Sequence, residues 1–530
     1  RSAAKEAAKG SLYKDRMQYS LQGCVDENAG DDCVVYNPFP YVSADEYYYY
    51  DDEQGRSELA ALQSYLLFEG EDTSFNDQLL VDATMNGSLF ELPGGDAQIA
   101  LGYQFRREAG EYVPDAIIQE GNTTGNAQDA TEGDYSANDV FAELSLPIMN
   151  NTTGVENLEL GLATRYSNYD SFGGKLTYKA GLTYAPVKEF ALRSTYGTAY
   201  NAPSISALYG GTADGYPSVS DPCSTVLNPG ELPANCGEGN TDDRTQILTR
   251  NGSNPELDPE QAEILTAGFV VRPIEEVSLT VDYFLINYYD TVTSKGAATI
   301  LAGCYTQDAS QSNAEDCAKI TRNEAGLIDQ IDDRLTNVGM DITAGWDVEL
   351  KGDFKVGGGL LGSLTSFTYY TVADTFVLDA AAPNPFYSPS DDAKNDPLRR
   401  IKGIYEGYPA WELTSALSYQ IDGIGVGANI RYSPKGIECS GGTCYSEVTE
   451  GGDKYWQDDL YHRDVDDNFT ADLYASYALD TDAGSTSFTL GVNNITDQDP
   501  PLVYQGFYAD SNPGYDFLGR YFYLNVGHSF

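Results

Sequence analysis

Basic residues and histidine are scarce in this chain of 530 residues. It carries 31 Lys and Arg against 81 Asp and Glu, a formal net charge of −50, and only two histidines, His462 and His528. Nucleic-acid binding is disfavoured because phosphate contacts need clustered Lys and Arg. Docking on an anionic membrane leaflet needs a basic patch as well. The two histidines offer no convincing pair for a metal site or a catalytic triad.

Long apolar runs are also missing. No stretch of about 18 consecutive apolar residues occurs, which excludes a transmembrane helix. The chain opens on Arg1 without an initiator methionine or a secretory signal, so we expect a mature or truncated chain. Aromatic residues make up 12% and hydrophobic residues 41%, with 53 glycines. Disordered acidic chains are poor in aromatics, so the composition favours a folded, β-rich protein with an acidic surface.

Eight cysteines fall into four close couples. The couples are Cys24/Cys33, Cys223/Cys236, Cys304/Cys317 and Cys439/Cys444, separated by 9, 13, 13 and 5 residues. Structural zinc sites usually combine ligand pairs about two to four residues apart. The wider spacings instead predict four local disulfides, each closing one loop, in an oxidising compartment. Scattered buried thiols, the alternative, would not produce such even pairing.

Alternation of apolar and polar residues dominates the chain after residue 80. Leu176, Tyr178 and Ala180, for example, alternate with Thr177 and Lys179. This period predicts strands with one apolar and one polar face. A soluble sandwich buries such apolar faces between two sheets, whereas a transmembrane barrel points them at lipid. We count about 15 strands, near 81–91, 97–110, 135–147, 156–168, 174–185, 189–200, 260–272, 276–289, 339–351, 358–373, 408–420, 424–433, 468–480, 485–495 and 519–530.

The connections between these strands alternate between short and long. Tight turns such as Asp422-Gly423 are followed by long polar segments, the longest near 200–259 and 290–338. Loops of this length are uncommon in compact soluble domains. Outer-membrane barrels, in contrast, place long loops at one end and short turns at the other. The pattern therefore favours an all-β fold, an antiparallel transmembrane β-barrel with long extracellular loops and short periplasmic turns.

Three separated segments resemble the TonB-dependent outer-membrane receptors. They are Tyr200-Asn201-Ala202-Pro203-Ser204 with Leu208-Tyr209-Gly210, Asn254-Pro255-Glu256-Leu257-Asp258-Pro259-Glu260, and Gly491-Val492-Asn493-Asn494-Ile495-Thr496-Asp497 with Pro500-Pro501. The resemblance implies the C-terminal part of a barrel of about 22 strands, over residues 73–530. Residues 1–72 would be an extracellular loop region that precedes the barrel strands. The plug domain and the first strands would lie outside this chain.

The resemblance also implies a location and a mode of action. It implies the outer membrane of a Gram-negative bacterium, where a scarce nutrient is bound and imported with energy transmitted by the TonB complex through the plug. The implied partners are outer-membrane lipid, the TonB complex, the barrel-assembly machinery that would recognise Phe530, and a surface lipoprotein. No enzyme activity and no cofactor are expected, although calcium on loop carboxylates is compatible with the sequence.

The charge of the loops bears on the substrate. Residues 441–470 hold eight acids against Lys454 and Arg463. An acidic mouth repels anions over a Debye length of about 8–10 Å, whereas aromatic side chains suit neutral sugars or cations. We therefore predict a neutral oligosaccharide, with a siderophore or metal chelate as the alternative. The predicted substrate residues are Tyr47, Tyr48, Tyr49, Tyr50, Trp456, Asp458, Asp459 and Tyr461, and the predicted lumen residues, which could still contact an anion, are Arg106, Arg165, Arg193 and Arg431.

Two other classes share part of the pattern. A passive porin-like diffusion channel would show the same alternation and terminal Phe530, but it usually has shorter loops and lacks the three segments above. A secreted β-rich glycosidase could use paired carboxylates. Its strands, however, would not form membrane-length hairpins joined by alternating short and long connections.

Overall fold

The computed structural model describes residues 2–4, 12–26, 28–35, 53–68, 70–230, 232–306, 312–372, 411–439, 445–450, 453–458, 462–482, 484–501 and 518–529. Strands dominate these ranges. In chain order they are β1 (Ser2–Ala4), β2 (Asp72–Leu92), β3 (Gly95–Val113), β4 (Thr131–Thr152), β5 (Val155–Tyr169), β6 (Gly173–Val187), β7 (Phe190–Asn201), β8 (Ala213–Gly215), β9 (Thr249–Asn251), β10 (Glu260–Ile274), β11 (Val277–Tyr289), β12 (Val292–Thr293), β13 (Ile320–Arg322), β14 (Ile328–Asp332), β15 (Thr336–Asn337), β16 (Met340–Val356), β17 (Gly359–Val372), β18 (Trp411–Ile421), β19 (Ile424–Ser433), β20 (Gly436–Cys439), β21 (Tyr445–Glu450), β22 (Asp453–Asp458), β23 (His462–Val465), β24 (Asn468–Thr481), β25 (Gly484–Asn493) and β26 (Tyr521–Ser529).

Helices are few and short in the same ranges. They are α1 (Lys14–Leu21), α2 (Glu53–Leu66), α3 (Ala116–Gln119), α4 (Ile205–Tyr209), α5 (Ala297–Cys304) and α6 (Ala314–Ala318), with one 3-10 turn at Ala234–Cys236. No helix in the described ranges is long and apolar enough to span a bilayer.

One antiparallel sheet of 16 strands forms the body of the molecule. Its order is β1-β2-β3-β4-β5-β6-β7-β10-β11-β16-β17-β18-β19-β24-β25-β26, and each neighbouring pair is antiparallel. The fifteen strands predicted from the alternation all occur in it, and β1 adds a short sixteenth. Several strands are longer than predicted, and the first of them, β2, begins at Asp72 rather than near residue 81. As described, the sheet stays open, with β1 at one edge and β26 at the other.

The apolar face of this sheet is exposed. Leu176 on β6 is 62% exposed and Leu524 on β26 is 67% exposed, and leucine or valine side chains are similarly exposed on most of the other long strands. Water-soluble proteins rarely expose a continuous apolar surface of this size, but a membrane barrel presents one to lipid. The remaining described sheets have only two to four strands, too few to cover this face. The barrel prediction is therefore confirmed over the sandwich.

Short turns close the hairpins at one end of the sheet. Between β18 and β19, Asp422 and Gly423 have φ values of 45° and 80°. A two-residue turn with positive φ at both positions has the twist that adjacent antiparallel strands require, and Asp-Gly is one of its preferred sequences. Gly357 and Gly358 make the equivalent turn between β16 and β17, with φ values of 57° and 85°. Both dipeptides thus stand where an ordinary side chain would be strained.

Two of the long connections fold together into a small domain, which we call the loop module and define as residues 202–259 and 290–339. Its sheet has the order β13-β14-β9-β8, and the parallel pair β14–β9 joins the two connections. A buried cluster lies beneath it, formed by Ile247 from the first connection and by Ile300, Leu301, Ile328 and Ile331 from the second. The connections therefore have a hydrophobic core of their own, which few long loops have.

Disulfides fasten the loop module and the N-terminal residues. Cys223–Cys236 and Cys304–Cys317 lie within the module, one in each connection, and Cys24–Cys33 follows α1. These three pairings are confirmed as predicted, and each closes a loop of 9 or 13 residues.

The fourth predicted disulfide differs from the other three, because the structure does not test it. Cys444 falls outside the described residues. Its predicted partner, Cys439, is the last residue of β20, but the side chain of Cys439 is not described. The structure therefore supports three of the four predicted bridges, and the bridge from Cys439 to Cys444 stays a prediction.

The N-terminal residues contain local structure that alternation did not reveal. Tyr65 and Leu66 of α2 pack with Leu62 in a small buried cluster, against which Cys33 and Met17 lie. Lys14 Nζ donates to the backbone oxygen of Gly121, 2.9 Å away, so α1 touches the connection between β3 and β4. The division into a loop region over 1–72 and a barrel over 73–530 remains a prediction.

Candidate functional site

In the described part of the chain, a large cavity lies where β2 to β7 meet the long connections. Its volume is about 920 Å³. Its wall combines four tyrosines, two arginines, three acids and neutral hydroxyl or amide side chains with a few small or apolar residues; the full lining is Ser74, Asn76, Arg106, Glu108, Gly110, Glu111, Tyr112, Gln128, Thr131, Tyr135, Asp139, Arg165, Tyr169, Thr177, Thr198, Ala199, Tyr200, Asn201, Ala202, Ser204, Ile205 and Ser206. Cavities of this size are typical of small-molecule sites.

Arg165 is anchored on the wall of the cavity by two neighbouring strands. Its Nη2 donates to Oε1 of Gln104 at 2.7 Å and to Oδ2 of Asp139 at 2.5 Å. Asp139 is only 2% exposed, so its carboxylate depends on this guanidinium for charge compensation. The three side chains come from β3, β4 and β5 and meet because the register places Gln104 opposite Asp139.

Arg106 occupies the next position along the wall and is held in the same way. Its Nη2 donates to the Tyr169 hydroxyl at 2.5 Å, and its Nη1 lies 3.4 Å from Oε1 of Glu108. Glu108 also accepts a hydrogen bond of 2.7 Å from the Tyr135 hydroxyl. Both arginines on this wall therefore have a carboxylate partner in the folded chain.

An aromatic cluster forms the floor beside these arginines. The ring of Tyr169 stacks on Phe172 with centroids 4.4 Å apart, and the rings of Tyr135 and Tyr200 lie 5.8 and 6.1 Å from it. Leu208 of α4 is buried against the same group. Rings packed at these separations gain stability beyond the apolar area they bury, so the floor is a rigid part of the site.

Helix α4 covers one side of the cavity and is positioned by two of the segments recognised in the sequence. Ser204 is its N-cap, with Oγ accepting from the backbone N–H of Ala207 at 3.1 Å. Asn254, from the second segment, donates its backbone N–H to the carbonyl of Ala207 at 2.9 Å and its side-chain amide to Leu335 O at 3.1 Å. These hydrogen bonds fix α4 within the loop module, and Leu208 of α4 packs with Tyr135 of the barrel wall.

Gly133 on β4 allows α4 to approach the wall, and replacing it should loosen the helix. A Cβ at this position would lie 2.1 Å from Cδ2 of Tyr209, so Gly133→Ala must displace the ring at about 1–3 kcal/mol. We expect faster amide hydrogen exchange over residues 204–210. In the control, Gly87→Ala, the new methyl group meets no heavy atom within 4 Å. Hydrogen exchange over residues 204–210 should not change in this variant. Equal exchange in wild type and Gly133→Ala would contradict this packing.

The other predicted lumen arginines lie outside this cavity. Arg193 pairs with Asp282, with its Nε 2.9 Å from Oδ1, and Arg431 lies 3.1 Å from Asp472. Asp472 also accepts from the backbone N–H of Asn494 at 2.8 Å, which anchors the third recognised segment to β24. The structure thus brings two of the four predicted arginines together, and a role in substrate binding stays a prediction for all four.

The predicted substrate residues lie mostly beyond the structural description. Outside the described residues fall Tyr47, Tyr48, Tyr49, Tyr50, Asp459, Tyr461 and the terminal Phe530, as does Cys444 of the fourth cysteine couple. Trp456 and Asp458 belong to β22, which pairs with β21 in a separate hairpin, and their side chains are not described. Among the described residues, no group of three or more His, Cys, Asp or Glu is placed to hold a metal ion. Calcium on the loop acids stays a prediction.

Sequence reasoning missed the tyrosines and acids of the cavity. Tyr135, Tyr169 and Tyr200 occupy strand ends, where alternation indicates a face but not a neighbour. The sequence did not indicate that Glu108 and Asp139 belong to a site either, because a single acid on the polar face of a strand is common. The contacts among side chains on three different strands could have been predicted only if the register of those strands had been known.

Buried ion pairs stabilise the loop module above this site. Asp221 is fully buried and accepts two hydrogen bonds of 2.6 and 2.7 Å from Arg322, which arrives from the other connection. Burial raises the pKa of Asp221, but hydrogen bonds from Arg322, from the Cys223 N–H and from Asn240 outweigh it and hold the pKa below its usual value. Lys295 and Asp316 form a second buried pair at 3.0 Å. The Asp221–Arg322 pair joins the two connections, and the Lys295–Asp316 pair lies within the second.

Comparison with known proteins agrees with this architecture. The family described as TonB dependent receptor-like, beta-barrel matches residues 19–495. Among solved structures, the chain is similar to the siderophore receptor PirA from Acinetobacter baumannii, at 15% identity and a TM-score of 0.50. It is also similar to a mutant of the ferric enterobactin receptor PfeA from Pseudomonas aeruginosa in complex with enterobactin, at 16% identity and a TM-score of 0.52. A search of curated proteins finds no match.

Each of these two matches covers 87% of this chain and 55% of the receptor, so the chain spans about half the length of the solved receptors. At such identities the likeness establishes the fold. The family match covers most of the chain and confirms the resemblance of the three segments. It also confirms the Gram-negative outer membrane as the location. Members of this family are transporters rather than enzymes. The chain belongs to the TonB-dependent receptor family, and its long antiparallel strands are those of the family's β-barrel.

Proposed function

We propose that the protein imports a ferric siderophore across the outer membrane, using energy transmitted by TonB. The observation that carries the proposal is the cavity of about 920 Å³ at the loop-bearing end of the strands. Its volume suits a ligand of siderophore size. Its four tyrosines and its hydroxyl and amide groups suit a ligand with many hydrogen-bonding atoms.

The similar solved structures support this substrate over the one predicted from the sequence. PirA is a siderophore receptor, and PfeA is a ferric enterobactin receptor with enterobactin bound. The neutral oligosaccharide gains no such support, so the siderophore alternative is the better proposal. TonB as a partner, and a plug supplied by another part of the receptor, belong to the same proposal.

Filling the cavity should weaken chelate binding by the purified full-length receptor. Thr177 lies on β6 and lines the cavity, so Thr177→Trp places an indole in the ligand's volume. We expect the affinity for a ferric siderophore to fall at least about tenfold, or 1.4 kcal/mol. The measurement is isothermal titration with a panel of ferric siderophores.

The matched control is Thr183→Trp. Thr183 stands on the same face of β6, six residues further along, or about 20 Å away, and outside the cavity lining. Its affinity should equal that of the wild type. Binding of an oligosaccharide, with no affinity for any ferric chelate, would overturn the proposed function.

A further inference from the structure

We infer that the cavity selects a neutral ferric trihydroxamate over a ferric tris-catecholate; this inference rests on the proposed function and names the chelate class. Three bidentate hydroxamates, each with one negative charge, neutralise Fe³⁺ and leave a complex with no net charge. Three catecholates, each with two negative charges, leave a complex with a charge of −3. The two classes therefore differ mainly in the net charge of the complex that their receptor must bind.

The lining of the cavity does not compensate an anion. It contains Arg106 and Arg165 against Glu108, Glu111 and Asp139, which leaves one carboxylate in excess. The whole chain carries a formal charge of −50, so the surrounding field has the same sign. A trianion entering this site would meet repulsion rather than attraction, and its association would be slowed as well.

The two arginines cannot turn to an anion without loss. Arg165 holds Asp139 and Gln104, and Arg106 holds Glu108 and Tyr169. Moving Arg165 onto a ligand would leave the carboxylate of Asp139 buried without its counter-charge, since that side chain is 2% exposed. Uncompensated buried charges are strongly destabilising. Each guanidinium thus already has a carboxylate partner in the protein, Arg165 through Nη2 and Arg106 through Nη1.

The rest of the lining suits a neutral, amide-rich ligand. Asn76, Gln128, Thr177, Asn201 and Ser206 present amide and hydroxyl groups that can both donate and accept. A trihydroxamate offers carbonyl oxygens and, in peptide-based members, N–H groups to such a wall. The tyrosine floor supplies apolar area for the linkers between the iron-binding arms.

The test compares two ferric complexes on the full-length receptor in detergent: ferrichrome as the neutral trihydroxamate and ferric enterobactin as the tris-catecholate. We expect ferrichrome to bind at least about tenfold more tightly at low salt, with the gap narrowing as salt screens the repulsion. Glu111→Lys should shift the ratio of the two affinities toward ferric enterobactin. The control, Glu276→Lys, makes the same charge change in the short turn between β10 and β11 and should alter neither.

The outcomes separate this inference from the proposed function. Equal or tighter binding of ferric enterobactin by the wild type would overturn the inference while leaving siderophore uptake intact. Failure of both complexes, and of the wider siderophore panel, would overturn the proposed function and the inference together.

Discussion

Replacing Arg322 with alanine is expected to unfold the loop module while the barrel strands remain intact. Arg322 supplies both hydrogen bonds that neutralise the fully buried carboxylate of Asp221. Removing one partner of a buried pair leaves an uncompensated charge and destabilises by about 3–5 kcal/mol. We expect rapid hydrogen exchange and proteolysis over residues 202–259 and 290–339, and normal exchange in β2 to β7.

The control for this variant is Arg334→Ala in the same module. Arg334 pairs with Asp332 at 2.8 Å, but the arginine side chain is 48% exposed, so the loss should be at most about 1 kcal/mol. If Arg322→Ala and Arg334→Ala had the same small effect, the buried pair would not stabilise the module.

The same ion pair sets a pH dependence. The pKa of Asp221 is held below its usual value in the folded module, so ionised Asp221 stabilises the fold above the unfolded-state pKa of about 3.9. That stabilisation is lost as the pH falls through the lower, folded-state pKa. Hydrogen exchange of the module should therefore accelerate below about pH 4. In Arg322→Ala the carboxyl group has lost its partner, so acid should stabilise the module by neutralising it.

The second large effect is expected from the core of the loop module. Ile300 is fully buried among Ile247, Ile328 and Ile331, so Ile300→Ala leaves a cavity that costs about 2–5 kcal/mol. Urea titration followed by proteolysis of the module should show an earlier midpoint. In the control, Val226→Ala, the side chain is half exposed and the midpoint should not move. An unchanged midpoint for Ile300→Ala would show that the two connections do not share a core.

The strands could be predicted from the sequence because the alternation of apolar and polar residues specifies them. Alternation identifies a strand whose two faces meet different solvents, and a lipid-facing side such as that of Leu176 must be apolar along its length. Local disulfides such as Cys223–Cys236 could also be predicted, because the two cysteines of each pair are close in sequence. The charge of the chain did not identify the substrate, since the oligosaccharide predicted from it is not supported by the similar solved structures.

The loop module and the cavity could not be predicted in this way. Ile247 and Ile331 meet through a parallel pairing of β9 with β14 across two connections, and nothing local in either segment specifies it. The cavity depends on register, since Arg165 reaches Gln104 and Asp139 on two other strands. Ser204 and Asn254 were recognised by resemblance, but their roles in capping and anchoring α4 became evident only from the packing.

The most direct test of siderophore import is uptake of ⁵⁵Fe by cells that express the receptor as their sole outer-membrane siderophore transporter. We expect that a ferric trihydroxamate delivers iron, that a protonophore or removal of TonB abolishes uptake, and that Thr177→Trp reduces uptake at limiting chelate concentration while Thr183→Trp does not. Uptake that continues without the proton gradient, as through a passive channel, would contradict it. So would the absence of iron uptake from every chelate supplied.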